Sequence, residues 1–108
     1  LERSLFHLDG PQALPHLDLL LSEPGLTGVQ WVYGAGHGPA RQWLDVYRRC
    51  LAAGKCIQVH AEGTADALAV AEALGPRGVW ITMGQSFATA REAEDFVDAL
   101  AKASHRVR

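Results

Sequence analysis

The chain has 108 residues, 48% hydrophobic and 20% charged, with a formal net charge of -2. That composition suits one globular domain with one core and excludes an extended disordered chain. A balance so near neutral gives no electrostatic basis for binding nucleic acid or an anionic membrane surface. No apolar run reaches the length of a membrane span, and the sequence shows no signal-peptide pattern at its start. Cys50 and Cys56 lack metal-motif spacing and make no disulfide framework, so a reducing, cytoplasmic setting is expected. Because the first residue is Leu1, the chain is expected to be a fragment of something longer.

Ser4-Leu5-Phe6-His7-Leu8-Asp9-Gly10 reads as a short strand, Leu5 to Leu8, stopped by a glycine. Alternation puts Leu5, His7 and Asp9 on one side and Phe6 and Leu8 on the other. Pro11 and Pro15 confine a helix start, because proline is tolerated in a first turn and not deeper. Leu14, Leu17, Leu20 and Leu21 give that helix its apolar stripe, and it should stop before Pro24-Gly25. Gly28-Val29-Gln30-Trp31-Val32-Tyr33 is the second predicted strand, running into the glycine-rich loop Gly34 to Pro39. The next helix buries Trp43, Val46, Tyr47, Cys50 and Leu51 and ends at Gly54. Cys56 to Glu62 is the third strand. Thr64 is the expected N-cap of a third helix with the stripe Ala67, Val70, Ala71 and Leu74, ended by Gly75-Pro76. Val79 to Met83 is the fourth strand. Thr89 and Glu92 form a capping box before a last helix expected to bury Ala93, Phe96, Val97 and Leu100. The basic segment Lys102 to Arg108 reads as its cationic last turn.

The order is therefore strand then helix, four times over, which predicts an α/β fold with a parallel sheet and right-handed crossovers. A small open sheet and half of an eight-stranded barrel both satisfy the pattern. In either, ligands bind at the carboxyl ends of the strands. Those ends offer His7 and Asp9, then Gln30, Tyr33 and the His37 loop, then Gln58, His60 and Glu62 on one face. Two imidazoles and two carboxylates together can bind a metal through nitrogen and oxygen, or act as acid and base. Each alone is as well explained as a hydrogen-bonded polar group at a sheet rim. The loop has Gly-x-Gly-x-Gly rather than a dinucleotide fingerprint; the helix after it can receive an anion, or the loop is simply flexible. Trp31, Trp43 and Trp80 read as packing residues, His16 and His105 as solvated, and Cys50 as a small core residue.

Leu5-Phe6-His7-Leu8-Asp9-Gly10, Gly28-Val29-Gln30-Trp31, Ile57-Gln58-Val59 and Phe96-Val97-Asp98-Ala99-Leu100 resemble the second half of the uroporphyrinogen decarboxylase superfamily. The resemblance covers nearly the whole chain and implies half of a (β/α)8 TIM-type barrel. It implies either a lyase of porphyrin biosynthesis that decarboxylates a tetrapyrrole without a cofactor, or a methyltransferase acting to or from a corrinoid or thiol. The methyltransferases carry His-x-Cys-Gly at the first of these strands and a further Cys at the last. Here Asp9 stands in place of the first Cys, and Thr82-Met83-Gly84-Gln85-Ser86 contains none. A thiolate zinc site is not carried over, and any metal is expected to be held weakly by nitrogen and oxygen. The decarboxylases' Gly-His-Gly at the last strand is also absent, as is their arginine-rich substrate segment.

The resulting expectation is an enzyme-family domain, with His7, Asp9, His60 and Glu62 as catalytic groups and Gln30, Tyr33, His37 and Gln58 contacting substrate. Its partners would be a small molecule, either a tetrapyrrole or a methyl donor, and a second copy or an N-terminal half that completes the barrel. The alternative is a non-catalytic half-barrel that binds a ligand or assembles with itself.

Overall fold

Four strands, β1 (Leu5–Asp9), β2 (Gly28–Val32), β3 (Cys56–Ala61) and β4 (Val79–Met83), pair in sequential order, every neighbour parallel, in a computed structural model that describes residues 3–106. Leu1 and the tip of the basic segment, Arg108, lie outside the described residues. The register aligns His7 with Gln30, Gln30 with Gln58, and Gln58 with Trp80. One polar level thus crosses the sheet and ends on an indole.

The helices are α1 (Leu17–Leu21), α2 (Leu44–Ala52), α3 (Thr64–Leu74) and α4 (Ala90–Ser104). The first two are entered through 3-10 turns, Pro11–His16 and Ala40–Trp43. Pro15 has no amide to donate and its ring crowds the carbonyl four residues back, so the segment tightens and only five α-helical residues follow. α3 begins after Gly63, whose φ is 106° and which has no side chain to cap with; Thr64 is its first residue rather than its N-cap, and its amide donates to Gln85 Oε1 at 3.1 Å. The Thr89–Glu92 box does form at α4: Thr89 Oγ1 accepts from the Glu92 amide at 3.1 Å, and Glu92 Oε2 accepts from the Ala88 amide at 3.2 Å.

Apart from Gly28, every buried strand residue belongs to one face. Leu8, Val29, Trp31, Ile57 and Val59 pack against Leu17, Val46, Tyr47, Cys50 and Val70. A sequential strand order with right-handed crossovers sends each helix to the same side, and the burial follows that rule. On the opposite face Leu5, His7, Asp9, Cys56, His60 and Trp80 are exposed, while Gln30, Val32, Gln58 and Thr82 are half-buried. All-parallel sheets ordinarily have both faces covered. This one is bare on one.

α4 departs from the sequence expectation. It packs chiefly on α3, buries only Ala103 among its residues, and leaves Val97 61% exposed. β4 is the sheet's edge, so α4 has no further strand to straddle, and a hollow of about 270 Å³ opens between Val79, Ile81, Val97 and Leu100.

Candidate functional site

The bare face is built in levels, because side chains of paired parallel strands stand side by side. At the amino end stand Leu5, Gly28 and Cys56, which line an open hollow of about 250 Å³ with Arg3, Ser4 and Thr27, and the Trp80 side chain from the level above also lines it. The middle level is His7, Gln30 and Gln58. His7 Nδ1 hydrogen-bonds Gln30 Oε1, and Gln30 Nε2 donates to Gln58 Oε1 at 3.1 Å. One level further, at the carboxyl end, stand Asp9, Val32, His60 and Thr82. Asp9 Oδ2 lies 3.9 Å from His7 Nε2, and His60 Nδ1 lies 3.3 Å from Thr82 Oγ1.

Glu62 lies just past the end of β3 and reaches the glycine loop. Its carboxylate occupies the space where a Cβ at Gly38 would stand, and such a Cβ would also come within 2.8 Å of Tyr33 Cε1. Tyr33 donates its hydroxyl proton to the His60 carbonyl at 3.2 Å. Burial, reinforced by the adjacent Glu62 carboxylate, pushes the Tyr33 hydroxyl up to about 12. Val32, Tyr33, Gly34, Ala35, His60 and Glu62 line a hollow of about 280 Å³ at this corner.

The four ionisable residues therefore form two pairs. His7 and Asp9 occupy β1, His60 and Glu62 the end of β3, and β2 separates them by two strand spacings, about 10 Å. Among the described residues no three His, Cys, Asp or Glu side chains stand close enough to hold a metal ion. Gln30 and Gln58 extend from the first pair, and Tyr33 stands with the second. His37 is exposed; its amide donates to the Gly34 carbonyl at 3.2 Å and its carbonyl accepts from Trp43 Nε1 at 2.8 Å.

Asp66 is the residue that the sequence reading passed over. Only 2% exposed, it accepts from the amides of Ala40 at 2.8 Å, Arg41 at 3.0 Å and Glu62 at 2.9 Å, with the Arg41 guanidinium 3.7 Å away. It fixes the glycine loop to α3 and so sets the height of Tyr33 and Glu62. It also occupies the amides that an anion would need at the turn entering α2, which removes that expectation. Its signal in the sequence was an acid in the first turn of a helix. Lys55 does similar work at the other end, donating Nζ to the carbonyls of Glu23 at 2.6 Å and Leu26 at 2.8 Å.

No family model, curated protein or solved structure matches the chain. Its chemistry must be read from the face itself. That face offers two imidazoles, each with a carboxylate nearby, two carboxamides between them, and an apolar floor. Such a set can position a polar small molecule and exchange protons with it.

Proposed function

We propose that the chain is four βα units of a uroporphyrinogen-decarboxylase-like (β/α)8 barrel, and that its bare face is an inward barrel face with the site at the carboxyl end. The observation that carries this reading is the grading of the face. Leu5 and Cys56 lie at the amino end, His7, Gln30, Gln58 and Trp80 share the middle level, and Asp9, His60 and Thr82 stand at the carboxyl end. Barrels divide their interiors in this way, with packing below and chemistry above.

The residues do not fit the thiolate zinc centre of the methyltransferase relatives. Asp9 replaces a cysteine, β4 ends without one, and no three metal-binding side chains converge among the described residues. Decarboxylation of a tetrapyrrole acid therefore suits the side chains better than methyl transfer to or from a corrinoid or thiol. In it the carbon–carboxylate bond breaks, CO2 leaves, and the electron pair left on carbon takes a proton. His7 beside Asp9, or His60 near Glu62, would take up a proton from solvent at Nε2 and deliver it to that carbon as the imidazolium, and Gln30, Gln58 and Tyr33 would orient the substrate. The free thiols of Cys50 and Cys56 accord with a reducing, cytoplasmic setting.

The direct experiment is incubation of the chain with uroporphyrinogen, following loss of carboxylates by mass spectrometry. Turnover is expected, falling by roughly 10²-fold or more in His7→Gln. Absence of both turnover and binding would remove the enzyme reading. A second reading, a non-catalytic half-barrel that assembles with itself, draws on one observation: apart from Leu19 on α1, the exposed large apolar side chains among the described residues lie at the two edges of the sheet. Leu5 and Phe6 lie on β1, Trp80 on β4 and Val97 on α4.

A further inference from the structure

Gln30 stands between His7 and Gln58 on three adjacent strands at one level, with its oxygen toward His7 Nδ1 and its nitrogen donating to Gln58 Oε1 at 3.1 Å. A carboxamide oxygen only accepts. A neutral His7 in this arrangement must carry its proton on Nδ1, which leaves Nε2 a bare lone pair. The same reasoning applies one level higher. Thr82 Oγ1 is placed to give its single proton to the Val59 carbonyl at 3.3 Å, and in that orientation it accepts from His60 Nδ1. His60 Nε2 is left free as well.

We infer that Gln30, Gln58 and Thr82 are positioning residues: the His7–Gln30–Gln58 row and, one level higher, the separate His60–Thr82 contact hold both imidazoles as Nδ1–H tautomers with both Nε2 atoms available as bases. The row has a direction. At the β1 end, His7 Nε2 and Asp9 Oδ2 are two acceptors 3.9 Å apart. At the other end the Gln58 amide protons have no partner within the chain among the described residues, and Trp80 lies beside them in register. The ligand class that complements this polarity carries an ammonium or ring N–H donor for the β1 end and a carboxylate or carbonyl oxygen for Gln58. This inference rests on the proposed site and deepens it, because it says which nitrogen exchanges the proton and which residues make it available.

The alternative is a reversed row, with both carboxamides turned over, which would put the His7 proton on Nε2 facing Asp9. Long-range 1H–15N correlation spectra of the uniformly 15N-labelled chain, at a pH where histidine is neutral, distinguish the two. The expected result is the Nδ1–H pattern for both His7 and His60. Gln30→Leu should release His7 to a tautomer mixture and leave His60 unchanged, and Thr82→Val should do the reverse. Gln30→Glu, whose carboxylate still accepts from Nδ1, should keep His7 as it is. Backbone amide spectra identify any variant that has not folded, and the unsubstituted chain answers the question without variants. An Nε2–H pattern at His7, or no change in folded Gln30→Leu, would overturn the row while leaving the decarboxylase reading open. Confirmed tautomers without uroporphyrinogen turnover would do the opposite.

Discussion

Asp66 shows how one buried side chain can fix a site it does not belong to. Its carboxylate is the shared acceptor of three backbone amides, two of them from the loop carrying Tyr33 toward α2. Asp66→Ala leaves those amides unpaired in a buried place, so a loss of roughly 3 kcal/mol is expected in urea titrations. The loop resonances from Gly34 to Arg41 should broaden in the same variant. His7, Gln30, Gln58 and His60 were legible in the sequence because strand alternation fixes their common face. Asp66 was not, since its partners at Ala40 and Arg41 lie 26 and 25 residues away and are backbone atoms, which no residue pattern displays. The thiols give a second expectation at this scale. Burial raises the Cys50 thiol from 9.0 to about 11 against the opposing pull of Arg49, and burial raises Tyr33 from 10.0 to about 12. A raised acid favours its neutral form in the fold, so the stability it contributes is complete below pH 9 and is lost as pH climbs through the folded values. Urea midpoints should therefore fall steadily between pH 9 and pH 12, and Cys50→Ala should flatten the first part of that fall. A midpoint independent of pH over this range would contradict the burial of both groups.

Among the elements, strands and helices emerged in the order the sequence dictated, because period-2 and period-3.6 patterns are separated cleanly by glycine and proline. What the pattern could not supply was which apolar stripes find a partner. The α2 stripe does: Val46, Tyr47 and Cys50 meet the β2 and β3 side chains, and Tyr47 donates its hydroxyl proton to the Ala40 carbonyl at 3.0 Å. The α4 stripe reads the same and stays largely outside, since nothing lies beyond β4. The contrast can be measured. Trp31→Ala, at the centre of the core and edge-on to Trp43 with ring centroids 5.1 Å apart, should cost about 3–5 kcal/mol. Val97→Asp should cost under about 0.5 kcal/mol in a single copy, as an exposed substitution does. Gly38→Ala belongs to this scale too. Its added methyl displaces the Glu62 carboxylate and presses on the buried Tyr33 ring, so a loss of about 1–3 kcal/mol is expected together with a changed environment at Tyr33.

At the scale of the molecule, the sheet is finished on one side only. The Cα radius of gyration is 14.2 Å, against about 13 Å for a compact domain of this length, and the extents are 42 × 29 × 27 Å. The excess fits a single layer of helices on a single sheet. Both terminal strands present unpaired backbone edges, which pair readily with another chain. The side chains beside those edges are apolar on both faces. Leu5 on β1 and Trp80 on β4 project from the bare face, while Phe6 lies on the helix side of β1 and Val97 projects from α4. Head-to-tail pairing of two copies would put β4 of each beside β1 of the other. It would cover the bare face, place the two His7 rows within one interior and reach eight strands, the number at which a barrel interior is filled by side chains. Sedimentation velocity at micromolar concentration tests this most directly. The account expects a species of twice the 11.7 kDa chain mass, reverting to single copies in Val97→Asp. A single copy of 11.7 kDa for the unsubstituted chain, folded and unchanged across the whole concentration range, would contradict it.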